Sequence, residues 1–242
     1  MNESTILRIR SKKEAKALIS QSFWSTFAAG TLYVMPVFAL TLLTMLLPFV
    51  LKEYPIWMDG VFYAAELLIV SPLAFGFGIY CVARSRDLAA PFVMVFEPLG
   101  SLGGYARAVS VSLSMAIRLL PITAVRLLMI YTVPAGSAIY PIAEVLISLG
   151  AILEMVLHLG MTASYNIIAD DPKIGSWNAV KEASELYSKR VFSLLAFIVS
   201  FLGWMILAVL SMGLVLPYLI AYQNIAFARM TDILRNPETT EE

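Results

Sequence analysis

Long apolar runs alternate with charged stretches along this chain. Because about 20 helical residues cross the hydrocarbon of a bilayer, apolar runs of this length predict membrane-spanning helices. The runs with few or no charges lie at about 27–51, 61–83, 108–131, 138–169 and 191–228. The first three suit one span each, and the fourth is long enough that its helix is expected to tilt strongly or to project from the membrane.

The last run, 191–228, is too long for one span and suits two short ones. Gly213 and Pro217 lie inside it, and glycine commonly follows the end of a helix while proline favours the first turn of the next. We therefore predict an all-α polytopic membrane protein, a six-helix bundle with cytoplasmic amphipathic helices, whose sixth helix lies at about 214–228.

Composition supports this class. Hydrophobic residues make up 60% of the chain and charged residues 14%, with a mean hydropathy of +0.80, whereas soluble domains are near a quarter charged. The net charge of zero provides no basic footprint for nucleic acid. A single cysteine, Cys81, excludes an intrachain disulfide, and together with one histidine it cannot form a Cys/His zinc site. We expect neither a metal nor a cofactor.

The basic residues predict the orientation. Fourteen of the 17 Lys and Arg residues fall on one side of the predicted spans, against Lys52 alone in the opposite loops, so both termini are expected in the cytoplasm. Residues 1–26 lack the apolar core of a cleavable signal peptide. The predicted organisation is a basic amphipathic cytoplasmic segment, 1–26, a transmembrane domain, 27–230, and a polar acidic cytoplasmic tail, 231–242.

A weak internal repeat accompanies the odd-numbered spans. "KEAKALISQSFW", "YARAVSVSLSMA" and "VKEASELYSKRVF" are alanine-containing stretches with basic residues that each run into such a span. Three copies of a lead helix plus a helical hairpin would explain them. Positive-inside sorting combined with helix-forming composition explains them equally well.

The third of these stretches predicts a surface helix over 176–190. Val180, Ala183 and Tyr187 recur at i, i+3 and i+7 and are surrounded by charged residues, which is the pattern of an amphipathic helix. We expect this helix to lie along the anionic inner leaflet of the lipid bilayer. The alternative is that its apolar face binds a membrane-protein partner.

Two arginines inside the third apolar run need partners. If the turn between the third and fourth spans is centred near 135, residues at equal depth have indices that add up to about 270. This pairs Arg126 with Glu144 near the outer interface and Arg118 with Glu154 near mid-bilayer. An unpaired charge at that depth costs several kcal/mol, so the simplest interpretation is that the two pairs staple the hairpin.

A functional interpretation competes with the staple. His158 lies one helical turn beyond Glu154, so Arg118, Glu154 and His158 could form a buried polar cluster that carries protons or an anion. Glu66, in the outer third of the second span, could join Arg126 and Glu144.

Enzymatic chemistry is not expected. The acidic residues at membrane depth and one histidine do not form a set of metal ligands. "GSLGG" at 100–104 lacks both the preceding strand and the final Lys-Ser/Thr of a phosphate-binding loop.

Several stretches resemble a known family. "PLAFGFGIY" (72–80), "FEPLGSLGGYARAV" (96–109) and "FIVSFLGWMILAVLSMGLVLPY" (197–218), which lies within the matching stretch 178–230, resemble in that order the bacterial integral-membrane family called domain of unknown function 975. The N-terminal "SKKEAKALISQSFW" is similar to that family's opening basic helix. The resemblance implies a six-helix bacterial inner-membrane protein, distantly like the membrane domain fused to glycerophosphodiesterases, and it implies no catalytic residues. Arg118 and Arg126 fall outside the family's pattern.

Together these patterns favour a membrane-embedded accessory or scaffold component. A small transporter or lipid-handling protein is the alternative, and its small-molecule ligand is unknown. A polar cavity connecting Arg118, Glu154 and His158 to either surface would favour the transporter, and a dry packed hairpin would favour the scaffold.

Overall fold

A computed structural model describes residues 3–50, 61–62, 64–134 and 136–236. These residues contain no strand, so the predicted all-α class is confirmed. The helices are α1 Glu3–Gln21, α2 Phe23–Val50, a π-helical turn Glu66–Val70 that leads into α3 Ser71–Ser85, a 3₁₀ segment Phe92–Gly100, α4 Leu102–Thr132, α5 Tyr140–Met161, α6 Ser164–Asp170, α7 Ser176–Ser188, α8 Val191–Val199, α9 Leu202–Leu210 and α10 Leu216–Arg235.

Five segments of the described chain are long and apolar enough to cross a membrane. They are Phe23–Leu47, Glu66–Ser85, Leu102–Thr132, Tyr140–Asp170 and Val191–Leu210. The last helix, α10, is not among them, since polar residues such as Gln223, Asn224 and Arg229 interrupt its apolar sequence. The chain therefore has the composition of a membrane protein.

The long final run breaks where glycine and proline predicted. Helix α9 ends at Leu210, Met212 and Gly213 have positive φ angles of 53° and 87°, and Pro217 lies in the first turn of α10. Helix α10 then returns antiparallel to α8 and α9, with ring contacts such as Trp204–Tyr218 at 5.5 Å between centroids.

Helices α3, α6 and α10 lie inside the bundle. Helices α3 and α10 pack together, and both contact α6. At one crossing the Tyr165 ring lies so close to Gly78 that a Cβ there would overlap it, which is how small residues let helices approach. By contrast, only 11% of the residues in the apolar part of α2 are buried, whereas 61% of those in Glu66–Ser85 are buried. Helix α2 therefore presents most of its apolar surface outward, as do α4 and α5.

Each hairpin is preceded by a lead segment that packs on another hairpin. The 3₁₀ segment lies against α3, with Val95 at Gly76; α7 lies against α5, with Tyr187 at Gly160. Helix α1 lies against α10. This order agrees with three copies of a lead helix plus a hairpin, with one correction: the second lead segment is 92–100, because "YARAVSVSLSMA" forms part of α4 itself.

The predicted surface helix forms, but its apolar stripe is covered by protein. Ala179, Val180, Ala183 and Tyr187 of α7 are buried, and α7 packs on α4, α5 and α6. The expectation that this stripe lies on the inner leaflet is therefore wrong. The periodicity specified an apolar face, but only the tertiary structure decides whether lipid or protein covers it.

Candidate functional site

Helices α4 and α5 are joined by one ion pair. Arg126 Nη1 lies 2.9 Å from Glu154 Oε2, and the Thr123 hydroxyl donates a 2.6 Å hydrogen bond to the other carboxylate oxygen. The Arg126 and Glu154 side chains are 26% and 21% exposed. The predicted staple between these helices therefore exists, but with different partners.

The predicted pairs Arg126–Glu144 and Arg118–Glu154 are wrong. Helix α4 ends at Thr132 and α5 begins at Tyr140, which gives an index sum of about 272 for residues at equal depth, whereas Arg126 and Glu154 add up to 280. Residues of the two helices meet only where their facing stripes carry them, and residues on such a stripe recur every three or four positions. The observed partner is therefore displaced from the expected one by whole helical turns. Glu144 is exposed and forms no ion pair with a described residue.

The ion pair leaves part of its polar surface without hydrogen bonds. Arg126 Nε is buried with no hydrogen-bond partner, and Glu154 Oε2 meets Arg126 by proximity without hydrogen-bond geometry. We therefore describe the contact as a charge–charge interaction, which close distance alone supports. Charge pairing reduces the cost of placing both residues in an apolar span.

Arg118 has a different environment from the one predicted. The centre of its guanidinium lies 4.4 Å from the Trp177 ring centroid, and Arg118 forms no ion pair within the described part of the chain. Trp177 belongs to the first turn of α7, a helix with several exposed charges, and such a helix lies at the edge of an apolar layer. Arg118 therefore lies beside the charged helix α7 and not against Glu154.

The remaining residues of the predicted cluster are dispersed. His158 is exposed on α5, one turn from Glu154, and neither it nor Arg118 pairs with that carboxylate. Glu66 is exposed in the π-helical turn, away from any ion pair with Arg126. The transport role proposed for such a cluster remains a prediction, but the described side chains do not assemble it.

Glu66 instead lines a cavity between the first two spans. The cavity has a volume of about 240 Å³ and is lined by Val37, Leu40, Thr41, Thr44, Phe62, Glu66 and Val70. Both threonine hydroxyls donate to carbonyls of their own helix, so they are already satisfied. The cavity therefore offers one carboxylate and two hydroxyl oxygens that can still accept hydrogen bonds, beside apolar side chains.

A larger polar network ties three helix ends together. We call it the common-end network, after the end of the bundle where α3, α6 and α10 finish. Arg86 donates to both oxygens of Asp232, at 3.0 and 2.7 Å, and lies 2.7 Å from Asp170. Arg235 pairs with Asp170 as well, and the Asn166 amide donates to Asp232 at 3.0 Å.

Burial explains why this network is so fully paired. The Asp232 side chain is only 11% exposed, and a buried carboxylate is tolerated when paired and hydrogen-bonded. The hydrogen bond to Asp232 is the main cause that raises the pKa of Arg86, against the opposing effect of burial. The network therefore holds α3, α6 and α10 in register at one end.

The sequence contains a signal for this network besides the orientation that its basic residues predict. Arg86, Asp170 and Asp232 each lie where an apolar run ends. Acids and bases that recur at the same ends of several spans could have indicated that those ends meet.

Helix α1 is bound to the bundle by its own polar contacts. Lys12 Nζ donates to the Ser200 carbonyl at 2.9 Å and lies 4.4 Å from the Phe201 ring centroid. Burial lowers the pKa of Lys12, and the neighbouring Arg8 lowers it further. Arg229 donates to Glu14 at 2.6 Å. The basic N-terminal segment is therefore a packed part of the bundle.

Comparison with known proteins identifies one family. The model of the family described as "Protein of unknown function (DUF975)" matches residues 102–230, which is more than half of the chain. Neither the curated proteins nor the solved structures contain a match. The resemblance to domain of unknown function 975 is thus confirmed, whereas the distant likeness to the glycerophosphodiesterase membrane domain stays a prediction.

Proposed function

Because this chain belongs to the DUF975 family of proteins of unknown function, we propose a function from its side chains: that of a membrane-embedded accessory or scaffold component without enzymatic activity. One observation carries this proposal. The charged groups that link the helices form pairs between neighbouring helices, as in Arg126–Glu154 and Arg86–Asp232, and they do not line the cavity beside Glu66. Such an arrangement stabilises a fixed bundle.

The proposal includes six spans in the bacterial cytoplasmic membrane, with both termini in the cytoplasm. The excess of Lys and Arg on one side supports this orientation. The antiparallel return of α10 also supports it, because it brings the chain back to Arg86 at the common end. Reporter fusions after Asn2 and after Arg235 should both report cytoplasm; an external C-terminus would remove the sixth span.

A scaffold acts through its surface, and this chain has a broad apolar one. Leu128 on α4 and Leu149 on α5 are among many exposed large side chains that lipid or a partner span would cover. Photo-crosslinkable residues at these two positions, installed in native membranes, should yield a discrete protein adduct. A matched probe at exposed Leu46 on α2 shows whether the partner prefers one hairpin.

The crosslinking result decides between the two functions. A discrete protein adduct at α4 or α5 supports the scaffold. Adducts with lipid alone at all three positions would overturn it.

A small transporter or lipid-handling protein is the second candidate. It is favoured by the cavity at Glu66, because π-helical turns inside helices are frequent at functional sites. Glu66→Gln should then abolish any ligand-dependent rise in melting temperature while leaving the fold unchanged, because Glu66 forms no ion pair with a described residue.

A further inference from the structure

Arg118 is the one arginine of the third apolar run that the described chain leaves without an anion. Arg126, two turns further along α4, has Glu154. Arg118 has only the face of Trp177, and its Nε is buried without a hydrogen-bond partner. A guanidinium has five donors, and a ring face satisfies none of them as a hydrogen-bond acceptor would. Its two Nη groups, which are not among the buried unsatisfied atoms, therefore remain available to an anion.

The surroundings of Arg118 combine aromatic, basic and apolar groups. Trp177 is 47% exposed, and Lys181, one turn further on the same side of α7, has a loose exposed ion pair with Glu185 at 3.9 Å. The N-cap of α7 is Gly175, which has no side chain to satisfy the first N–H groups of that helix. On α4, Ile122 and Val125 follow Arg118 at i+4 and i+7 on the same face, and Val125 is exposed.

We propose that Arg118, Trp177 and Lys181 form a site for the phosphate of an anionic phospholipid headgroup. Arginine binds phosphate oxygens through two parallel N–H donors, and tryptophan is enriched at the level of the headgroups. Val125 and the partly exposed Ile122 lie on the same face of α4, further along its apolar span, where acyl chains would continue into the bilayer. These apolar neighbours favour a lipid over a free phosphate ion, which would gain nothing from them.

The ring contact gives Arg118 a defined orientation. Stacking over Trp177 holds the guanidinium plane in place, so less conformational freedom is lost when a phosphate binds. A lysine at the same position would keep the charge but lose the planar pair of donors. The proposal applies to a scaffold and to a lipid-handling protein alike, so it does not depend on which of the two functions is correct.

Native mass spectrometry of the full-length, delipidated protein tests this site. Titration with phosphatidylglycerol and with phosphatidylcholine of the same chain length should show tighter binding of the anionic lipid. Arg118→Gln should weaken phosphatidylglycerol binding about fivefold, since a basic group near an anionic surface contributes about 1 kcal/mol. Arg118→Lys should retain part of the preference, and Trp177→Leu should lose a comparable part to Arg118→Gln.

Arg190→Gln is the matched control. Arg190 is an exposed arginine that donates only to a carbonyl of the preceding turn, so its removal changes net charge equally without touching the site. It should leave the lipid preference unchanged. An equal loss with Arg190→Gln, or an absence of preference for the anionic lipid in the unaltered protein, would overturn the proposal.

Inorganic phosphate distinguishes a headgroup from a free ion. Millimolar phosphate should not displace phosphatidylglycerol from the unaltered protein if the acyl chains contribute. If phosphate displaces phosphatidylglycerol from the unaltered protein but not from Arg118→Gln, the site binds a soluble anion, and the proposal of a lipid site is overturned. If Arg118→Gln does not fold, the Arg118→Lys and Trp177→Leu titrations carry the test.

Discussion

The common-end network and the Arg126–Glu154 pair use the same residue types in different ways. In the network, Asp232 receives both donors of Arg86 and the amide of Asn166, so three helices share one buried carboxylate. In the hairpin, Glu154 meets one arginine and one threonine, and Arg126 Nε has no acceptor. The first arrangement is cooperative, and the second is a single contact.

Their positions explain this difference. The network lies at the ends of α3, α6 and α10, where the apolar segments finish and several polar groups can converge. The hairpin pair lies inside two spans whose other faces are apolar, so few further partners are within reach. We therefore expect loss of a network member to cost much more than loss of the hairpin pair.

The largest expected effect comes from Asp232→Ala. This change leaves Arg86 with only Asp170 and removes an acceptor of Asn166, and breaking a buried pair costs about 3–5 kcal/mol. Thermal unfolding in detergent should show a large drop in melting temperature. Asp171→Ala, at an exposed neighbour of Asp170, is the control and should change little. Equal small effects from both would show that the network does not hold the helices together.

The second effect concerns the coupling of Arg126 and Glu154. Arg126→Leu and Glu154→Leu should each lower the melting temperature, and the double change should recover part of the loss because no unpaired charge remains. Measured intramembrane couplings average about 0.6 kcal/mol and reach about 1.7 kcal/mol. Replacing Arg126→Leu with Arg118→Leu in this cycle should give no coupling to Glu154. Coupling with Arg118 would restore the original sequence-based pairing.

The third effect is pH-dependent and involves α1. Partial burial opposes the shift, but hydrogen bonds from Arg10 and Arg229 lower the pKa of Glu14 below the usual 4.5. A lowered folded-state pKa means that this stabilisation is present above pH about 4.5 and is lost as pH falls through the folded-state value. Unfolding measured across this range should have a shallower pH dependence in Glu14→Gln. An unchanged slope would show that the contact with Arg229 does not stabilise the bundle.

The smallest effect is expected at the exposed rim of the network. Arg235 Nη2 lies 3.5 Å from Glu182, whose side chain is 51% exposed, and such surface pairs contribute about 0–1 kcal/mol. Glu182→Gln should lower the melting temperature slightly, and less at high salt. A loss as large as that of Asp232→Ala would mean that the network's strength does not follow burial.

Local sequence signals predicted the elements better than their partners. Gly213 and Pro217 predicted the last break correctly, because backbone conformation at these residues is a local property. The stripe of Val180, Ala183 and Tyr187 correctly predicted a helix over 176–190, but it did not show that other helices of the protein, and not lipid, cover the stripe. Periodicity records which face is apolar and contains no information about the surface that packs against it.

The charged residues show the same limit at the candidate site. A staple between α4 and α5 followed from the cost of charges in an apolar run, and Arg126 does meet a carboxylate on α5. Its partner, Glu154, depended on the length of the turn and on which stripes of the two helices face each other. The stacking of Arg118 on Trp177 depended on where a lead segment packs, which lies outside any pattern within α4.

The sequence by itself determined the helical class, the apolar segments and the need for every buried charge to find a partner, because these follow from the solvation of individual residues. Only the tertiary structure decided that Arg86, Asp170 and Asp232 meet at one end of the bundle. It also decided that other helices cover the apolar stripe of α7 and that Arg118 contacts an aromatic ring. Those outcomes depend on helix register and crossing, where a shift of one turn moves a side chain by about 5.4 Å and replaces one partner with another.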